Sequence, residues 1–232
     1  MQEKVRSRQV GGFTLIEILV AVAILAILSA ALTPLVIKYI NDGRRARTLS
    51  DSQTLGQAIL AFNLDTGRWP VSNDANANDA GEISRLVGLP AAQITAANIP
   101  GGTGATGAAN WDGGGNGGVG VAIQDLLIRN IVGAVNPVYQ VSQSAPEPPG
   151  WNGPYLDSVP LDPWGRPYVC NVRYLFGGAV AGVTQAEANN HAVFCLSAGA
   201  DGLFNTSFAD ATALAAPGGD DIGWRIQGDR TP

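Results

Sequence analysis

From Phe13 to Ile37 nearly every position is apolar, with Thr14, Glu17, Ser29, Thr33 and Pro34 as interruptions. A bilayer core needs about 20 apolar residues in a helix, and this run reaches that length. After Arg47 the pattern turns one-sided: Leu55, Ala58, Ile59 and Phe62 recur at helical spacing, which predicts an amphipathic continuation. Gly67 and Pro70 then stop it. One helix from Phe13 to Leu64 is predicted, roughly 75 Å long at 1.5 Å per residue. Its first half suits lipid and its second half suits the surface of a globular domain. Gly43 and Gly56 are expected to bend it. Pro34 lacks an N–H and would free the carbonyl of Ala30, so a kink or a locally melted turn is expected there, helped by the hydroxyls of Ser29 and Thr33.

Downstream the signals are shorter. Glu82–Leu89 reads as a short helix with Ile83, Leu86 and Val87 on one side. Residues 98–120 are dominated by Gly, Ala, Asn and Thr and read as loop. Leu127, Ile128, Ile131, Val132 and Val135 return to helical spacing, and Pro146, Pro148 and Pro149 close that region. From Tyr168 to Tyr174 the period is two, which predicts a half-buried strand, and Ala192–Ser197 reads as a second one. The fold class is therefore α+β: a long N-terminal helix packed on a small antiparallel β-sheet domain over 65–232, with a large loop-rich insert at about 73–149.

Composition narrows the function. The chain has 232 residues, 30 of them Gly, and a formal charge of -5. Such an acidic chain lacks the basic footprint of a nucleic-acid binder and is better suited to a hard cation such as calcium. Residues Gly113–Gly118 have no Lys-Ser/Thr and no flanking strand, so they are not a phosphate-binding loop. The lone histidine, His191, reads as a surface residue, and no catalytic motif is recognisable, so no enzymatic activity is predicted. Cys170 and Cys195 lack the neighbours of a zinc site; they form a disulfide if the domain is exported, or serve as two small buried hydrophobes.

The head of the chain is built for processing. Lys4, Arg6 and Arg8 precede the small pair Gly11-Gly12 and the bulky Phe13. A secretory signal places its small residues after the apolar core; here they come before it, so cleavage would remove residues 1–12 and keep the helix. The loss of Lys4, Arg6 and Arg8 against Glu3 would take the formal charge from -5 to -7. A carboxylate inside an apolar span costs about 2–3 kcal/mol. Cleavage after Gly12 would create an amine on Phe13, a cation that Glu17 of another subunit could pair with, fixing register more than adding stability. Charge counting leaves orientation open, because Lys38, Arg44, Arg45 and Arg47 follow the span.

Two C-terminal segments carry the remaining information. Pro160-Leu161-Asp162-Pro163-Trp164-Gly165-Arg166-Pro167-Tyr168 reads as a rigid turn feeding a strand, with Trp164 as hydrophobic anchor. Ser197-Ala198-Gly199-Ala200-Asp201-Gly202 is followed by Gly218-Gly219-Asp220-Asp221-Ile222. Asp201 sits in a Gly-flanked turn, and the adjacent like charges Asp220 and Asp221 are costly to hold together without a cation. The intervening loop, Phe204–Pro217, adds Asp210 as a rival ligand.

Gly12-Phe13-Thr14-Leu15-Ile16-Glu17, the basic leader and the proline well along the helix resemble the type IV pilin and type II secretion pseudopilin superfamily. Asp162-Pro163-Trp164-Gly165 followed by Pro167-Tyr168 resembles its major pseudopilins. The resemblance implies cleavage between Gly12 and Phe13 by a prepilin peptidase, N-methylation of Phe13, a single-pass inner-membrane helix, and a C-terminal domain in the periplasm. It implies assembly through Phe13, Glu17 and Pro34 into a helical polymer with minor pseudopilins, driven by an assembly platform protein and its ATPase. It also implies a calcium ion held by Asp201, Asp220 and Asp221 with the carbonyls of Ala198, Leu203 and Gly218. The expected role is a filament subunit that drives protein export, a type IV pilus or surface-fibre subunit being the alternative. A membrane-tethered calcium-dependent binding domain is a third.

Overall fold

The computed structural model describes residues 12–71, 83–102, 111, 120–132, 138–139, 150–175, 191–208 and 216–226. The leader 1–11, Glu82, the Gly113–Gly118 run, Val135, the prolines Pro146, Pro148 and Pro149, and Asp210 lie outside the described residues.

Helix α1 runs Leu15–Thr66 as one element. The chain divides into two compact units at Arg44/Arg45. In the first unit α1 is apolar all round, with Leu15, Leu19, Leu25, Ile27 and Leu32 each more than half exposed. It is long and apolar enough to cross a membrane. The expected melted turn at Pro34 is not seen: the helix continues through it, and Thr33 Oγ1 donates to Ser29 O at 2.7 Å one turn back.

In the second unit the one-sided stripe takes over. Leu55, Ala58, Ile59 and Phe62 are buried, and Phe62 meets Tyr139 edge-on at 4.8 Å. Gly56 makes room on the buried face, since a Cβ there would stand 2.7 Å from Trp224 Cδ1. Gly67, at φ 63°, ends the helix in the left-handed conformation that only glycine adopts freely, donating to Asn63 O.

Five short strands form one sheet: β1 Leu86–Val87, β2 Val121–Ala122, β3 Val169–Cys170, β4 Phe194–Ser197 and β5 Ile222–Arg225, in the order β2-β1-β3-β4-β5. The sheet is mixed rather than antiparallel, because β1 and β2 run parallel. Leu86 and Val87 are therefore strand where a helix was expected; both are fully buried, and β1 pairs with β2 on one side and β3 on the other. Where helical spacing was predicted over 121–135, the described residues 121–132 form strand β2 and a single wide turn, Asp125–Arg129, closed by Asn130 at φ 57°. The expected strand over 168–174 shortens to β3, since the chain curls into a 3-10 turn at Val172–Leu175. It is buried on both faces rather than half-buried, because Tyr168, Val169, Cys170 and Val172 are all fully enclosed.

The insert is part of the core. Ile83, Leu86, Trp111, Ile123, Leu126, Leu127 and Val138 are all buried there. Cys170 and Cys195 face each other across β3 and β4 and are disulfide-bonded. Closing that loop of 25 residues removes chain entropy from the unfolded state. Replacing both cysteines with Ala is expected to lower the unfolding free energy of the full-length chain in detergent by about 3 kcal/mol, read by urea unfolding.

Candidate functional site

At the start of α1, Glu17 has a partner within its own chain. Its Oε2 accepts from both the backbone N–H and the hydroxyl of Thr14, each at 2.8 Å, and Glu17 N–H donates back to Thr14 Oγ1 at 3.4 Å. This is a capping box, which satisfies N–H groups that the first turn leaves open. The Thr-x-x-Glu spacing was available in the sequence, where Glu17 read as a charge awaiting a partner. Phe13 is 84% exposed.

The Asp162-Pro163-Trp164-Gly165 turn is anchored by its carboxylate. Trp164 is half-buried and stands apart from the core cluster, whereas Asp162 is enclosed. Asp162 Oδ1 accepts from the N–H groups of Trp164 and Arg166 at 2.9 and 2.7 Å, and Oδ2 accepts from Ser197 Oγ at 2.6 Å. Arg166 Nη1 donates to Gly199 O at 2.7 Å. A Cβ at Gly202 would run into the same guanidinium, so the close approach requires glycine there. The two C-terminal segments singled out in the sequence are thus one structure, with the turn gripping the end of β4 and the loop that follows. The turn also ties to the helix through Tyr168 Oη, which donates to Asp51 Oδ2 at 3.0 Å, beside Arg47 at 3.5 Å.

That loop gathers oxygens. Asp220 Oδ2 accepts from the N–H groups of Ala200 and Asp201, and Asp201 Oδ1 accepts from Leu203 N–H. The free oxygens converge on the amide of Asn205, whose Nδ2 faces Asp201 Oδ2 at 3.4 Å, Asp220 Oδ1 at 3.2 Å and Leu203 O at 3.0 Å. An amide NH2 has two hydrogens and here meets three acceptors. Among the predicted ligands, Asp201, Asp220 and Leu203 are therefore brought together. Ala198 O and Gly218 O instead close turns, accepting from Gly202 and Asp221 N–H.

Asp221 is turned toward the backbone at Asn205 and Thr206. Its Oδ2 accepts from Asn205 N–H, Thr206 N–H and Thr206 Oγ1, and its Oδ1 is buried with no hydrogen-bond partner. Burial pushes its carboxyl up to about 6, against the opposing pull of the Thr206 and Asn205 hydrogen bonds.

An oxygen-rich set with an orphaned buried carboxylate oxygen fits a hard cation. Among the described residues no group of three or more His, Cys, Asp or Glu side chains is gathered for a metal ion. Carbonyls and the Asn205 amide, turned to present its oxygen, would have to complete the set. Asn205 lies in the Phe204–Pro217 loop, and nothing in its immediate sequence marks it as the meeting point of these oxygens. His191 is partly buried and stacks flat on Tyr174 at 4.1 Å, rather than lying free on the surface.

Comparisons with known proteins match two segments of the chain. Residues 7–33 match the prokaryotic N-terminal methylation motif, and residues 138–181 match protein G of the type II secretion system. In these two segments the chain is similar to a prokaryotic methylation motif and to the core protein G of type II secretion systems. The Klebsiella pneumoniae type II secretion system core protein G is 31% identical over 89 residues, 38% of this chain and 59% of that protein. The Pseudomonas aeruginosa and Aeromonas hydrophila proteins of the same name are 26% and 23% identical, each over about 70% of this chain and 72% and 73% of their own lengths. The chain thus spans less than two thirds of the Klebsiella relative. No solved structure matches the chain significantly.

The raised Asp221 carboxyl sets a pH dependence. Between about 4 and 6 the folded chain holds a proton that the unfolded chain releases, so in chelator this group's contribution to stability falls as pH rises through that window. Asp221→Asn is expected to remove this part of the slope. Thermal unfolding of variant and parent across pH 4 to 7 checks it, and identical slopes would refute it.

Proposed function

We propose that this pilin-like chain is a structural subunit of a type II secretion pseudopilus. The observation that carries the reading is the presence, on one chain, of the methylation motif at 7–33 and the protein G segment at 138–181. The leader is cut between Gly12 and Phe13 by a prepilin peptidase, and Phe13 is methylated. Until assembly the apolar half of α1 is stored in the inner membrane as a single span, with the C-terminal domain in the periplasm. An assembly platform protein and its ATPase then move the subunit into a helical homopolymer that includes minor pseudopilins.

The capping box gives Glu17 a resting partner. In the membrane, Thr14 solvates its carboxylate; in the filament, the Phe13 amine of a neighbouring subunit takes over that role. The chain is a building block, and we assign it no enzymatic activity and no nucleic-acid partner.

The acidic loop is proposed to hold calcium, with Asp201, Asp220 and Leu203 O as the central ligands and Asp221 completing the charge. Bound calcium would supply a fixed positive charge that locks the loop between β4 and β5. Calcium is expected to raise the melting temperature of the full-length chain in detergent, and Asp201→Ala to abolish the rise. An unmutated chain whose melting temperature ignores calcium would contradict the assignment.

Deleting the gene tests the larger reading. Loss of secreted enzymes from the medium with surface fibres intact is the expected result. Normal secretion with loss of fibres or of twitching would instead make the chain a type IV pilus subunit.

A further inference from the structure

The acidic loop has a second side, and it faces the insert. Trp111 is fully buried, its ring stacked on Phe204 at 4.8 Å and edge-on to Phe208 at 5.0 Å. Its indole Nε1 donates to Thr206 O at 2.7 Å, across 95 residues of sequence. Its own carbonyl accepts from Arg85 Nη1 at 3.1 Å, and that guanidinium lies over the Phe208 ring. A second strap runs alongside: Phe204 N–H donates to Gly101 O at 2.8 Å, where Gly102 and Phe204 pair as a parallel bridge.

These contacts hold the backbone segment that builds the acidic loop. Asn205 lies between Phe204 and Thr206, and its amide sits among Asp201, Asp220 and Leu203 O. Thr206 offers Asp221 Oδ2 both its N–H and its hydroxyl at 2.6 Å, while its carbonyl is taken by Trp111. One peptide stretch, 204–206, therefore has the insert on one side and the carboxylates on the other. Gly218 N–H, which donates to Thr206 Oγ1 at 2.9 Å, brings in the segment carrying Asp220 as well.

We infer that Trp111 is a positioning residue for the acidic loop, so that the insert sets the loop's affinity for calcium. The inference rests on the calcium reading above. Its physical basis is preorganisation: with segment 204–206 fixed before the ion arrives, the ordering cost of binding is already met. Coupling of this kind is reciprocal, so the ion must also tighten the Trp111 contact.

The test is a calcium titration of the full-length chain in detergent, comparing the parent, Asp201→Ala and Trp111→Phe, which keeps an aromatic ring but loses the indole N–H. Removing one neutral hydrogen bond from the preorganised state is expected to weaken calcium binding by about fivefold. The calcium-induced rise in melting temperature at a fixed, subsaturating calcium concentration should shrink with it. A purely structural tryptophan would lower the melting temperature equally with and without calcium and leave the affinity unchanged, and that result overturns the inference. A parent chain that binds no calcium overturns the calcium reading itself and is distinguished by the parent arm alone. Should Trp111→Phe fail to fold, hydrogen exchange of the Trp111 indole N–H in the unmutated chain decides. Exchange slowed by calcium supports the coupling; exchange unaffected by calcium in a chain that binds it overturns the coupling.

Discussion

Helix α1 has to satisfy two solvents with one continuous hydrogen-bonded backbone. From Leu15 to about Ile40 its apolar side chains are exposed on all sides, an arrangement stable only in lipid or against other helices. From Thr48 to Thr66 the same helix buries one stripe and leaves the rest to water. A carboxylate at Glu17 is affordable in the first environment because it sits in the first turn, where open N–H groups and the Thr14 hydroxyl solvate it. The remaining features of the chain follow from this division. The globular unit must present a surface for the amphipathic half.

Within that unit a short run of polar contacts does the organising. Asp162 closes its own turn with one oxygen and grips Ser197 with the other; Arg166 reaches Gly199; Tyr168 reaches Asp51 on the helix. With strands of two to four residues, ladder hydrogen bonds alone are too few to fix the loops between them. Side-chain-to-backbone bonds of the Asp162 and Asp221 kind supply that order, each costly to break because the partners are buried.

The N-terminal half was legible because its signals are local. A membrane-length apolar run, a one-sided stripe and a Gly at the helix end need no tertiary partner to be read. The sheet was harder. Leu86–Val87 and Ile222–Arg225 are too short to show a period, and each is held by its neighbours more than by propensity. The acidic residues of the candidate site were visible as residues; the convergence of Asp201, Asp220 and Leu203 O on Asn205 depends on how the loop folds back. Trp111 illustrates the limit most clearly. In sequence it is an isolated aromatic in a Gly- and Asn-rich stretch, and what buries it, Phe204, Phe208 and the Thr206 carbonyl, lies over 90 residues away.

Assembly through Phe13 and Glu17 depends on the state of the N-terminus in the cell. The most direct measurement is the intact mass and N-terminal peptide of the chain extracted from bacterial membranes that contain a prepilin peptidase. A chain beginning at Phe13 and carrying one extra methyl group on its amine is the predicted result. A chain that retains the Gly12–Phe13 peptide bond would contradict it, because Phe13 would then have no amine to pair with Glu17 of a neighbouring subunit.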